Sequence, residues 1–251
     1  MEGGGDLTQT STAAGANSLI IASNGTILGP QQLQGQQTLQ GGASTINVQG
    51  QKSGTIAPFT APGSRPTFLN DDPGTADSTT IEVLGSGTHI AGVDLVGAGQ
   101  FSGVFFNAGI TGTGVVNSFI ENVVISEFSG VGVAFENNNE LTIFNTVVKD
   151  IGDVGIAFGN DNGVTLANVA VSNVALGNGI EFFDRNTVSI SDSLVTDVGA
   201  IGIAFLDDKR LLDQQHADLA SLLRGDRIRD PQYGADHQHD DHGCSPQRHR
   251  R

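Results

Sequence analysis

The feature that most constrains this chain is an internal repeat. FSGVGVAFENNNELTIFNTVVKD (128–150), IGDVGIAFGNDNGVTLANVAVSN (151–173) and VALGNGIEFFDRNTVSISDSLVTD (174–197) fall into register, and VGAIGIAFLDDKR (198–210) begins another copy. The spacing is 23, 23 and 24 residues. Self-similarity at such a period marks an array of like units, each touching only its neighbours. Every copy carries a Gly-apolar-x-Phe element: Gly132 to Phe135, Gly155 to Phe158, Gly179 to Phe182 and Gly202 to Phe205. Alternation puts its second and fourth residues on one face. The pairs Leu141/Ile143, Val164/Leu166 and Val188/Ile190 follow, then Thr146/Val148, Val169/Val171 and Ser193/Val195. Each copy therefore holds three short strands.

One copy cannot bury these side chains alone. Stacking the copies as coils sets equivalent strands about 4.8 Å apart in parallel sheets and places like residues over like inside. The predicted fold is all-β, a parallel β-helix solenoid of about 23-residue coils followed by a helical or disordered tail. Phe135, Phe158, Phe182 and Phe205 are expected to form an interior aromatic column. Asn122, Asn145, Asn168 and Asp192 form a second column, at a bend where amides can bond their neighbours above and below.

Upstream the register loosens. Residues 35–70 read as first, less regular coils, 87–97 and 101–127 as longer ones, and 107–114 as an inserted loop projecting from the solenoid. The expected organisation is a leading segment 1–34, the β-helix 35–207 and a tail 208–251. Composition agrees: Gly numbers 35, Trp is absent and 16% of residues are charged, which favours tightly turned β structure. Residues 1–206 carry 18 acids against four bases, Lys52, Arg65, Lys149 and Arg185. Such a surface repels phosphate, so neither nucleic acid nor an anionic membrane is expected as a partner. No apolar run is long enough to span a bilayer, and MEGGGDLTQTSTAAGAN has no signal-peptide pattern. The single cysteine, Cys244, allows no internal disulfide.

The coil length, the NVVIS and NVAVS strands with their Asn, and the GIAF strand resemble the right-handed parallel β-helix superfamily of pectate lyases, polygalacturonases, autotransporter passengers and adhesins. The similarity covers about residues 35–207. APGSRPTFLN followed by TTIEVLGSGTHIAGVDLVG is similar to opening coils of bacterial surface proteins of this class, which implies a fragment of something longer. The resemblance also implies secretion or display at a cell surface, and a carbohydrate or cell-surface ligand. It does not choose among lyase, hydrolase, isomerase and binding surface, because the fold hosts them all.

The turn after the Phe strand supplies the acidic candidates. One column reads Asn137, Asn160, Asp184, Asp207 and the next Asn138, Asp161, Arg185, Asp208. Asp184 and Asp207, one coil apart, match the separation of about 5 Å between retaining-glycosidase carboxylates, and calcium is the cation such oxygens would take. Any two acids one coil apart meet that distance, and Arg185 between Asp161 and Asp208 reads as charge balance. Asp161, Arg185 and Asp208 are the candidate binding residues. No cofactor is expected. Arg185 and Lys149 sit in no lyase-type basic motif, and His89 reads as a strand residue. The outer column Glu127, Asp150, Asn173, Asp197 reads as a solvated edge.

After Phe205 the residue usage changes, with five of the six histidines beyond it. RLLDQQHADLASLLR (210–224) has a leucine stripe suited to a helical cap, although the mid-coil break also suits an out-of-frame continuation. His237, His239 and His242 form an adventitious metal-binding tract, and Arg224-Gly225-Asp226 a chance integrin-like tripeptide. The sequence thus points first to a non-enzymatic extracellular or cell-surface β-helix of passenger or adhesin type, with a binding or structural role. The alternative is a polysaccharide lyase or hydrolase working from Asp184 and Asp207.

Overall fold

The computed structural model describes residues 7–49, 54–70, 78–97, 107–206 and 210–213, with side chains undescribed for 8, 9 and 210–213. Its strands wind as a three-faced parallel coil. Face one stacks Leu19–Ala22, Thr38–Gly41, His89–Ala91, Ser118–Glu121, the first halves of Glu140–Ile151 and Gly163–Val174, Thr187–Ser191 and Arg210–Asp213. Face two stacks Thr26–Leu28, Thr67–Leu69, Asp94–Val96, Val124–Ser126, the second halves of the two long strands, and Leu194–Val198. Face three is a 7-stranded sheet running from Gln31–Leu33 to Ile203–Phe205. In two coils the expected second and third strands are continuous, as 12-residue strands bent at Asn145 and Asn168.

The core follows from the register. On face one Ile90, Ile120, Ile143 and Leu166 point inward in line, and on face two Phe68, Leu95, Ile125, Val148 and Val171 do the same, all at 2% exposure or less. Face three supplies the phenylalanine column. Phe135 pairs in register with Phe158; Phe158 and Phe182 stack at 5.2 Å and 8°, and Phe182 and Phe205 at 5.1 Å and 14°. Each fully buried ring contributes roughly 1.5–3 kcal/mol of transfer energy. The repeat's glycine is part of the same packing. A Cβ at Gly155 would collide with the Gly179 carbonyl oxygen and with Val171 Cγ1, and Gly132 and Gly179 meet the equivalent atoms of their own neighbours.

The corners explain the Asn and Asp columns. Asn122, Asn145, Asn168 and Asp192 all have left-handed backbones, with φ between 48° and 53°, a region in which Asn and Asp are enriched. This expected column lies at the surface or is half-buried, and within it Asn168 Nδ2 bonds Asn145 Oδ1. The buried ladder is a different one, at Asn139, Asn162 and Asn186. Asn162 Oδ1 accepts from Asn139 N (2.9 Å) and Nδ2 (2.8 Å), while Asn186 Oδ1 accepts from Asn162 N and Nδ2, both at 2.9 Å. Asn162 and Asn186 also donate to the Glu136 and Gly159 carbonyls. Each amide thus satisfies backbone that would otherwise be orphaned at a buried corner.

Three expectations are corrected. The solenoid starts at Leu19 rather than after residue 34, and helix Leu7–Ala14 closes its end by burying Leu7 and bonding Ser11 Oγ to Gln37 Oε1 at 2.5 Å. The stretch 107–114 does not project, because Ala108–Gly112 is a regular rung with Ile110 in the core; Gly112 there leaves the space that the Phe135 ring fills. Among the described residues, an antiparallel hairpin, Thr45–Gln49 with Ile56–Thr60, does leave the coil. Arg210–Asp213, where the leucine spacing suggests a helix, is a strand on Thr187–Ser191. The rest of the tail lies outside the described residues.

Two substitutions test this account by equilibrium denaturation. Phe158→Ala is expected to cost about 3–5 kcal/mol through the cavity it leaves. Asn162→Ala is expected to cost about 3 kcal/mol, since it strands the two donors of Asn139, whereas Asn145→Gly at the exposed corner changes stability by about 1 kcal/mol or less.

Candidate functional site

The acidic turn is brought together as an ion-pair cluster. Arg185 clamps Asp161 with two parallel bonds, Nε to Oδ1 and Nη2 to Oδ2, both 2.7 Å, and also pairs with Asp184. These bonds hold the Asp161 carboxyl below its ordinary value and push the Arg185 guanidinium up. Asp184 takes its place in a backbone-bonding column: Asn137 Oδ1 accepts from Asn160 N and Asn160 Oδ1 from Asp184 N. Charge balance and coil-to-coil bonding therefore account for every described member of the cluster. Asp207 and Asp208 lie outside the described residues, as do His237, His239, His242 and the Arg224-Gly225-Asp226 tripeptide, so the Asp184/Asp207 pair stands as an expectation.

The other described cations are occupied in the same way. Arg65 Nε bonds Asp94 Oδ1 at 2.6 Å and Lys149 Nζ lies 3.4 Å from Asp150. Asp150 also accepts from Asn173 at 2.6 Å, along the outer edge. Among the described residues no three His, Cys, Asp or Glu side chains converge as a metal-binding group.

A second constellation lies on the outer surface of face one. Register puts His89 level with Phe119 and Thr142, and Gln40 level with Ala91, Glu121 and Phe144. Alternation points all of them outward, opposite the buried Ile90, Ile120 and Ile143. Phe119 and Phe144, on adjacent coils, are 48% and 41% exposed. Diagonal neighbours in a sheet are about 7–8 Å apart, so the two rings stand near one another on neighbouring rungs of the same wall. Beside them the His89 and Phe119 rings meet edge to face at 6.0 Å, and His89 Nε2 lies 3.2 Å from Glu121 Oε1. The Nε2 atom is buried and makes no hydrogen bond among the described residues.

The hairpin closes this region on one side. Gln40 points outward yet is 0% exposed, because its Nε2 donates to the Ser44 and Phe59 carbonyls, at 2.8 and 3.3 Å. Its Oε1 is buried and unbonded. Ala91 between Gln40 and Glu121 is likewise fully covered. The wall thus has exposed aromatics at one end and hydrogen-bond acceptors under a hairpin at the other. The strand-end pattern carried the signal for it: HIAGV (89–93), FIENV (119–123) and TIFNT (142–146) align on the corner residues Gly92, Asn122 and Asn145.

Arg185→Gln is expected to raise the Asp161 titration midpoint to the ordinary aspartate range, followed by carboxyl NMR. In the native chain the depressed Asp161 pKa makes the pair's contribution fully present above the unfolded-state value and lost as pH falls through the folded one. A model described as right-handed beta helix region matches residues 75–213, more than half of the chain. No curated protein sequence matches it. Among solved structures it is similar to the tailspike gp49 of Acinetobacter baumannii bacteriophage Fri1, a capsular polysaccharide depolymerase, at 11% identity and TM-score 0.47, over 81% of this chain and 43% of that one. It is also similar to the A-module of the Azotobacter vinelandii mannuronan C-5 epimerase AlgE4, at 13% identity and TM-score 0.43, over 81% and 71% of the two chains. The chain spans less than half of the tailspike's length. On the family match, with the parallel three-faced coil described above, the chain belongs to the right-handed β-helix family.

Proposed function

We propose that this chain is a non-enzymatic carbohydrate-binding β-helix of an extracellular or cell-surface protein, and that it binds a glycan along face one. The observation that carries the reading is the pair of exposed rings, Phe119 and Phe144, standing on neighbouring coils beside the polar His89 and Glu121. Exposed large apolar groups rimmed by polar ones mark binding surfaces, and an aromatic face offers area at small entropic cost. A flat sheet with a fixed rung spacing suits an extended polymer, whose repeating units meet repeating coils. No helix among the described residues is long and apolar enough to cross a membrane.

The experiment is binding of the full chain to a panel of immobilised polysaccharides, with product release measured in parallel. Phe119→Ala and Phe144→Ala are each expected to weaken binding about tenfold, in line with the loss of one well-used aromatic contact, while the thermal midpoint stays within a few degrees because both rings point outward. Asp184→Asn is expected to leave binding unchanged. Product release abolished by Asp184→Asn would overturn the reading in favour of a lyase or hydrolase. Binding indifferent to both phenylalanines would remove face one from it.

A further inference from the structure

Charge on the described surface separates one class of glycan from another. Arg65, Lys149 and Arg185 are each held by a carboxylate of their own: Asp94, Asp150, and Asp161 with Asp184. An anionic sugar would have to break one of these pairs and leave its aspartate facing the ligand. Face one points the same way. Glu121 presents a carboxylate there, level with Phe144 and beside His89. A carboxylate fits hydroxyl and amide N–H donors and opposes other carboxylates.

We propose that face one binds an uncharged, donor-rich glycan, built of neutral hexoses or N-acetylated hexosamines, and discriminates against polyuronates. This rests on the reading of face one as the glycan-binding surface. Phe119 and Phe144 supply the platform and Glu121 the charged acceptor. His89 lies one rung from Phe119 and diagonal to Glu121. A hydrogen bond from a sugar hydroxyl to a carboxylate is roughly twice as strong as one between neutral groups. Glu121 is therefore the residue on which affinity for the neutral chain depends most among the polar groups.

The full chain is tested by affinity electrophoresis against a neutral glucan, a galactomannan, chitin oligosaccharides, pectate and alginate, with and without calcium. The expected result is retardation by at least one uncharged glycan and by neither polyuronate. Glu121→Gln, which keeps the side chain's shape, is expected to weaken the neutral interaction about tenfold, as loss of a charge-assisted bond does. Thr142→Lys with Thr165→Lys places two unpaired cations on the outward column beside the rings and is expected to bring in pectate binding; a folded double variant that still ignores pectate would mean that charge is not what selects. Pectate or alginate binding by the native chain, with or without calcium, that disappears in Phe119→Ala would overturn the substrate class while leaving face one as the site. Absence of binding to every glycan would overturn the reading of face one itself.

Discussion

The structure depends on one constraint, the parallel hydrogen-bonded register between successive coils. A shift by one residue would turn every inward side chain out, so the register fixes the core, the corners and the outer columns at once. The coils tolerate unequal length as long as excursions leave from corners. The hairpin 45–60 departs after Gly41 and the chain returns by Thr67, and Thr38 still sits level with His89. Insertions of this kind carry only loop-closure entropy, which grows slowly with length. A site on a β-helix wall is therefore assembled from residues far apart in sequence that the rungs bring level.

That is also why the sequence revealed the core more readily than the site. Phe135, Phe158, Phe182 and Phe205 recur at the coil period in equal-length coils, and the structure stacks them as the spacing implies. The buried amide ladder was hidden because Asn137, Asn138 and Asn139 are consecutive. Composition cannot say which of three neighbouring amides faces inward; that is settled by a left-handed backbone at Asn138, which turns the following residue under the corner. His89 and Glu121 escaped for a different reason. The coil that runs from His89 to Phe119 is longer than those after it, so no constant period places the two together, and only alignment on the corner residues does. The acidic turn was legible as a cluster, and its charge-balanced character was legible too, through Arg185.

The two clusters differ in what they leave available. At the turn, Arg185 directs its donors to Asp161 and Asp184, and the amide oxygens of the neighbouring column accept from backbone N–H groups. On face one, Phe119 and Phe144 stay open to solvent, and the Glu121 carboxylate has His89 beside it.

The left-handed corners have a further consequence for the solution behaviour of the molecule. Asp150, Asp161, Asp192 and Asp197 all occupy such corners, where the backbone selects for a short polar side chain and aspartate is one of the few that fit. Part of the acidity of the solenoid is thus a by-product of turn geometry. Asp150 and Asp161 have Lys149 and Arg185 beside them; at Asp192 and Asp197, with no cation paired among the described residues, the charge opposes lateral packing against other copies. The same bends that let the coil close therefore help to keep it dispersed, and raising the salt concentration would weaken that protection without altering the fold.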